Sequence, residues 1–236
     1  MHKAFLVFCL TAVTAVFAAT ASAGPLIFHA STSGQKTLDQ GEGGGNPFAS
    51  SLIEILARPE MRLAGLPEAL RALTVKKSDG LQTPDVPGAV APKDWKLAPS
   101  QAGEKRTALV LVVSDYRRAG ADSLPGAEHD ARRIASALTA AGFAAETALD
   151  LDLAGMRKRL GEFAAKSAGY DAAAIYTTGH GLESEGAVYL LPGDFPASQG
   201  KAALGAHALP LREIAKAAKA RRVNLVFYGG CRDNPF

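Results

Sequence analysis

Cys231 and His180 stand 51 residues apart, and each lies just beyond a short apolar run. Val-Asn-Leu-Val-Phe-Tyr (Val223 to Tyr228) leads through Gly229-Gly230 to the cysteine. Asp-Ala-Ala-Ala-Ile-Tyr-Thr-Thr (Asp171 to Thr178) leads to Gly179-His180-Gly181. A thiol becomes a strong nucleophile only as the thiolate, so it needs a base or a positive field beside it. Imidazole is the side chain whose ordinary pKa lies nearest neutrality. His180 would take the thiol proton and later protonate a leaving amine. The backbone N–H groups of Gly181 and Cys231 would point at a developing oxyanion. Each residue also has a plainer reading: a histidine in a glycine turn, and a small buried apolar cysteine. Their joint placement at two strand exits favours the chemical reading.

The N-terminus strengthens it. After His2 and Lys3, Ala4 to Ala19 is apolar and uncharged, and Ala21-Ser22-Ala23 fits a small-residue cleavage site. Residues 1–23 therefore read as a signal peptide, and the protein as exported, periplasmic or secreted. The stretch is short for a membrane anchor, so stable membrane insertion is not expected. Cleavage removes Cys9 and leaves Cys231 as the single cysteine, with no intramolecular disulfide possible. A lone thiol in an exported chain is reactive or pairs between chains. A net charge of +3, from 26 basic and 23 acidic side chains, is too balanced to argue for nucleic acid.

The elements that must position these residues begin near residue 106. Ala108 to Val113 is a continuous apolar run, as expected of a strand buried on both faces. Glu128 to Ala141 and Leu153 to Ala168 have helical apolar spacing, with Phe143 to Leu149 as a strand between them. Asp171 to Thr178 and Val223 to Tyr228 are further strands. Ala187 to Leu191 is a short extended excursion, and Leu211 to Ala220 a helix. Strands alternating with helices predict an α/β three-layer sandwich with a mostly parallel sheet. Sites in such sheets form outside the carboxyl ends of strands. Residues 24–105 read as an N-terminal segment and linker, partly disordered. Short helices are expected near Ser51 to Leu56 and Glu68 to Val75, a Gly-rich polar stretch over Ser31 to Asn46, and a proline-rich linker anchored by Trp95.

Tyr176-Thr-Thr-Gly-His180-Gly181 with Cys231-Arg-Asp-Asn-Pro-Phe236 resembles the caspase-like cysteine peptidases, in particular the bacterial metacaspase-like branch. Leu109-Val-Leu-Val-Val-Ser-Asp115-Tyr, Leu124-Pro125 with Asp130-Ala131, and Leu190-Leu191-Pro192 with Asp194 are similar to other motifs of that family. The His–Cys separation is also near that of caspases. The resemblance implies a peptidase acting on peptide or protein substrates through a Cys231–His180 dyad and a thioester acyl-enzyme. It implies oxyanion donors at Gly181 and Cys231, and neither metal nor cofactor in the chemical step.

Two departures qualify the expectation. The residue two before the nucleophile is usually an aspartate that helps bind a basic substrate residue; here it is Gly229. Asp115 remains as a candidate substrate-binding carboxylate, while Arg117 and Arg118 beside it would instead favour an acidic residue. The chain also ends five residues after Cys231, where the family continues with further strands. The catalytic domain, 106–236, is therefore expected to be incomplete, with its C-terminal strands missing and an open edge at the Val223 to Tyr228 strand. A longer product, a second chain supplying the strands, and an inactive member of the family all fit this ending. The alternative function is a non-catalytic caspase-fold module that binds a partner chain. His207 has no cysteine or carboxylate at ligand spacing, and no phosphate-binding glycine loop follows the first strand.

Overall fold

The computed structural model describes residues 24–41, 43–99 and 102–234; the expected signal peptide lies outside the described residues. In chain order the main elements are β1 (Leu26–His29), α1 (Pro47–Leu56), α2 (Leu66–Lys77), β2 (Arg106–Val112), α3 (Pro125–Ala140), β3 (Ala144–Leu149) and α4 (Leu153–Ser167). They continue with β4 (Ala172–Thr178), β5 (Gly181–Ser184), β6 (Ala187–Leu190), α5 (Leu204–His207), β7 (Leu209–Pro210), α6 (Leu211–Ala215) and β8 (Val223–Tyr228).

The central sheet has five parallel strands in the order β1-β8-β4-β2-β3. Strands β2, β4 and β8 are buried along their whole length, which explains their unbroken apolar runs. Side chains alternate between the two faces, as strand geometry requires. Ala108, Val110, Tyr176, Leu225 and Phe227 pack under α1, α2 and α3 with Phe48, Leu52, Ile134 and Leu138. Leu109, Leu111, Ile175, Val226 and Tyr228 face α4 and α6 with Met156, Leu160, Phe163 and Ile214. The three-layer α/β sandwich expected from the sequence is thus the observed architecture. A small antiparallel sheet, β5-β6-β7, grows from the exit of β4.

The expectation for the N-terminal segment is corrected. Residues 26–29 run parallel along β8, from Leu26 opposite Leu225 to His29 opposite Tyr228. The outer edge of β8 is therefore paired by the chain itself rather than open. Phe28 is fully buried and stacks on Phe227 at 5.1 Å. Helices α1 and α2 form at the two expected places and belong to the core rather than to its surface. Phe48, Leu52, Ile55, Leu66 and Leu70 are all inaccessible to solvent. Trp95 is buried as expected of an anchor. The Arg106 guanidinium lies over its ring at 4.4 Å, and its Nε1–H donates to Glu104 at 2.7 Å. The helix expected over Leu211 to Ala220 stops at Ala215. The backbone beyond it is held by side chains instead: Ser167 bonds Ala217 O and Lys219 N, and Asn224 bonds Ala220 at both N and O.

Candidate active site

The end of β4 delivers His180, and Tyr116 holds it there. The His180 backbone N–H donates to the Tyr116 hydroxyl at 2.7 Å, and that hydroxyl donates to Leu191 O at 2.9 Å. The imidazole packs edge-on against the Tyr116 ring, with centroids 4.4 Å apart. The glycines on either side are required by space. A Cβ on Gly179 would lie 2.5 Å from the Tyr116 hydroxyl, and one on Gly181 would collide with the Tyr228 hydroxyl. Gly179 also has φ +155, which disfavours any side chain. His180 Nε2 lies 2.7 Å from Asp122 O. A carbonyl only accepts, so Nε2 carries the hydrogen and Nδ1 is the basic nitrogen.

Cys231 leaves β8 through Gly229-Gly230. Tyr228 is buried, with its hydroxyl 3.1 Å from Tyr189 O and 3.2 Å from Cys231 O. Arg232 fixes the chain on the other side of Cys231. Its guanidinium bonds Glu183 at 2.9 Å, Asp85 at 2.8 Å and Ser31 O at 3.1 Å. The sulfur is half-buried and meets the N-terminal segment: Thr37 N–H donates to Sγ at 3.3 Å, and Thr37 Oγ1 lies 3.4 Å away.

Residues 31–41 and 43–46 thus form a strap over this end of the sheet. Gly34 N–H donates to Arg232 O, and Arg232 N–H to Gln35 O. Leu38 N–H donates to Gln82 at 3.0 Å. Asp39 accepts the Gly126 and Ala127 N–H groups at 3.0 and 3.1 Å. Leu124, at the start of α3, makes no side-chain cap bond, so a residue far away in sequence caps that helix. Asn46 N–H donates to Asp130 at 2.8 Å. Asp130 is therefore a fully buried tether between α3 and the strap. Burial pushes its carboxyl up to about 6, against the opposing Asn46 N–H and Arg133.

His180, Gly181 and Cys231 line one cleft of about 370 Å³, together with Lys36, Tyr116, Ala119, Ala121, Leu182, Leu191, Phe195, Ala197 and Asp233. The residues singled out for the dyad and the oxyanion donors are therefore brought together. Asp115 is not. It borders separate depressions, one of them shared with Arg118, Asp150, Asp152 and Asp194. Its carboxylate is gripped by the Arg117 side chain and backbone, which holds it well below the usual carboxylate range. The strand exit delivers Tyr116 to the site instead. Gly229 leaves no room for an acid: a Cβ there would sit 2.8 Å from Thr178 Oγ1 and 3.1 Å from the Tyr176 hydroxyl.

Thr37, Tyr116, Tyr228 and the Asp122 carbonyl are parts of the site that sequence reasoning did not identify. Tyr116 stands beside Asp115 in the strand-exit motif, where nothing in its type or spacing marks it as a site residue. Among the described residues no group of three His, Cys, Asp or Glu side chains could hold a metal ion. No helix among them is long and apolar enough to cross a membrane.

A search of curated proteins found no significant match. The family model for the caspase domain matches residues 105–234, from just before β2 to just past Cys231 and so across both site residues. With more than half of the chain matched and a parallel sheet carrying histidine and cysteine at adjacent strand exits, the chain belongs to the caspase family of cysteine peptidases.

Proposed function

We propose that the protein is an exported cysteine endopeptidase in which Cys231 is the nucleophile and His180 the general acid and base. The observation that carries this reading is that His180, Gly181 and Cys231 line one cleft while Asp122 O fixes the imidazole tautomer. The thiol proton passes to His180 Nδ1, and Sγ forms a bond to the scissile carbonyl carbon. The carbonyl electron pair moves onto oxygen, which the N–H groups of Gly181 and Cys231 stabilise. Collapse breaks the C–N bond, and the imidazolium gives its proton to the departing amine. Water, deprotonated by the same imidazole, then opens the thioester, releasing the acid and restoring the thiol. His180 is fitted for both proton transfers because Tyr116 and Asp122 hold its backbone and ring from two directions.

The test is incubation of the purified protein with a mixed peptide library beside a Cys231→Ala control, with cleaved bonds read by mass spectrometry. Cleavage that disappears in the control supports the peptidase. A folded protein that cleaves nothing, with Cys231 no more reactive than an ordinary thiol, would favour an interaction module instead.

A further inference from the structure

We infer that the strap is autoinhibitory, so that the folded chain is a latent peptidase until the strap swings away from Cys231; this rests on the peptidase reading above. A substrate carbonyl carbon must come within about 3.5 Å of the sulfur to react. On the strap side that space is filled: Thr37 N and Oγ1 stand 3.3 and 3.4 Å from Sγ. The main chain beside the nucleophile is taken as well. Arg232 N–H donates to Gln35 O at 2.9 Å, and Arg232 O accepts from Gly34 N–H at 3.2 Å. An extended peptide docks by pairing with backbone groups of this kind, and the strap already holds both. Gly229 O, two residues before the thiol, accepts from Asn46 Nδ2 at 3.4 Å. What stays open is the cleft of about 370 Å³ beside His180, a small-molecule volume rather than a channel for a polypeptide passing the thiol in both directions.

The strap is built to open without unfolding the domain. Leu38 is its one apolar side chain and is half-buried, and Thr32 to Lys36 are exposed. Hydrogen bonds rather than hydrophobic burial therefore hold it, and segments of that kind open at low free energy. Its ends stay fixed, because Phe28 in β1 and Phe48 in α1 are core residues. Two fasteners lie between Thr37 and α1. Gln82, 1 % exposed, accepts from Leu38 N–H through Oε1 at 3.0 Å and donates through Nε2 to Asn46 Oδ1 at 3.1 Å. Asp39 accepts the first N–H groups of α3, and Gly126 lets it approach: a Cβ there would lie 2.1 Å from Asp39 O.

The test loosens the strap from both sides of this contact. Asp39→Ala removes the fastener from the strap, and Gly126→Ala, which itself suits a helix, pushes the strap off from α3. Amide hydrogen exchange of peptides covering the strap reads its opening. The consequence is read by alkylation of Cys231 with an N-acetyl tripeptidyl chloromethyl ketone, beside iodoacetamide, and by cleavage of the mixed peptide library. In the alkylation an Sγ–C bond forms as chloride leaves, and the thiol proton passes to His180. Rates scale with the fraction of molecules whose strap is open, so peptidyl labelling and cleavage should rise together about tenfold in both variants. Strap exchange should quicken with them, and iodoacetamide labelling should change much less. Strap amides that exchange no faster in either variant would overturn the fastening on which the inference depends. Faster exchange with unchanged or slower peptidyl labelling would overturn the inhibition, and Cys231-dependent cleavage at the parent rate would then leave the peptidase standing. Faster peptidyl labelling with no cleavage by parent or variants would overturn the inference through the peptidase reading, leaving the strap as a cover on a thiol.

Discussion

Thr37 lies 194 residues before Cys231 and places its N–H 3.3 Å and its hydroxyl 3.4 Å from the thiol sulfur. The strap that carries Thr37 is fastened on both sides of this contact, by Arg232 before it and by Gln82, the Gly126 and Ala127 N–H groups and Asp130 after it. Access to the sulfur from that side depends on local opening of the strap. Thr37→Gly removes one hydrogen-bonding side chain and loosens the backbone. It should speed labelling of Cys231 by a bulky maleimide about tenfold, corresponding to about 1.4 kcal/mol of easier opening. A small reagent such as iodoacetamide should respond much less. Equal acceleration of both reagents, or of neither, would show that the strap does not limit access.

Tyr116 acts on His180 through one oxygen that accepts from His180 N–H and donates to Leu191 O. Tyr116→Phe keeps the ring beneath the imidazole but orphans both backbone groups, at a cost of about 1–3 kcal/mol. Because the histidine is mispositioned while the aromatic ring stays in place, kcat should fall about ten- to a hundredfold with KM little altered. A rise in KM at constant kcat would place the Tyr116 hydroxyl in substrate binding instead.

Gly229 is where a family-like aspartate would need to stand. Gly229→Ala should destabilise the fold by about 1–3 kcal/mol, because Thr178 and Tyr176 already occupy the space its Cβ needs. Gly229→Asp should cost more, since it also buries an uncompensated charge. Neither should create a preference for lysine over leucine. Urea midpoints measure the first effect, and the relative rates at which lysyl and leucyl peptide chloromethyl ketones alkylate Cys231 measure the second. An aspartate variant with an unchanged midpoint and faster lysine labelling would contradict this account of Gly229.

The legible parts of the fold are those with strong local patterns. Strands β2, β4 and β8 are buried on both faces and so appear as unbroken apolar runs, two of which lead to the proposed dyad. Strand β1 has four residues, too few for a period, and its identity depends on pairing with β8 nearly two hundred residues away. Thr37 lies in a polar stretch with no periodicity at all, and its contact with the sulfur is purely tertiary. At the exit of β2, charge drew attention to Asp115, whereas the turn sends Tyr116 inward and leaves the acid to Arg117. Asp130 lies in the first turns of α3, where nothing local points to its partner Asn46, which comes from the strap.

Two buried groups give the fold opposing responses to pH. Asp130 has its pKa raised from 3.8 to about 6, mainly by burial, against the pull of Asn46 N–H and Arg133 and with Asp39 adding to the rise. The native state holds that proton more tightly than the unfolded chain, so the contribution is full below 3.8 and is lost as pH rises through 6. His29, between β8 and Asp85, has its pKa lowered from 6.5 to about 4 by burial and by Arg232, against Asp85 and Glu183. Here the unfolded chain holds the proton more tightly, so stability is full above 6.5 and is lost as pH falls towards 4. Each shift corresponds to about 3 kcal/mol, so the two largely cancel between pH 4 and 6.5. Asp130→Asn keeps an oxygen that can accept from Asn46 N–H but removes the ionisation. That variant should lose about 3 kcal/mol more than the parent on going from pH 7 to 4. His29→Gln should shift the opposite way by a similar amount. Urea denaturation of the three proteins at pH 4, 5, 6 and 7 measures the difference, and the depressed surface carboxylates are common to all three. Parallel stability curves would mean that neither buried group titrates in this range.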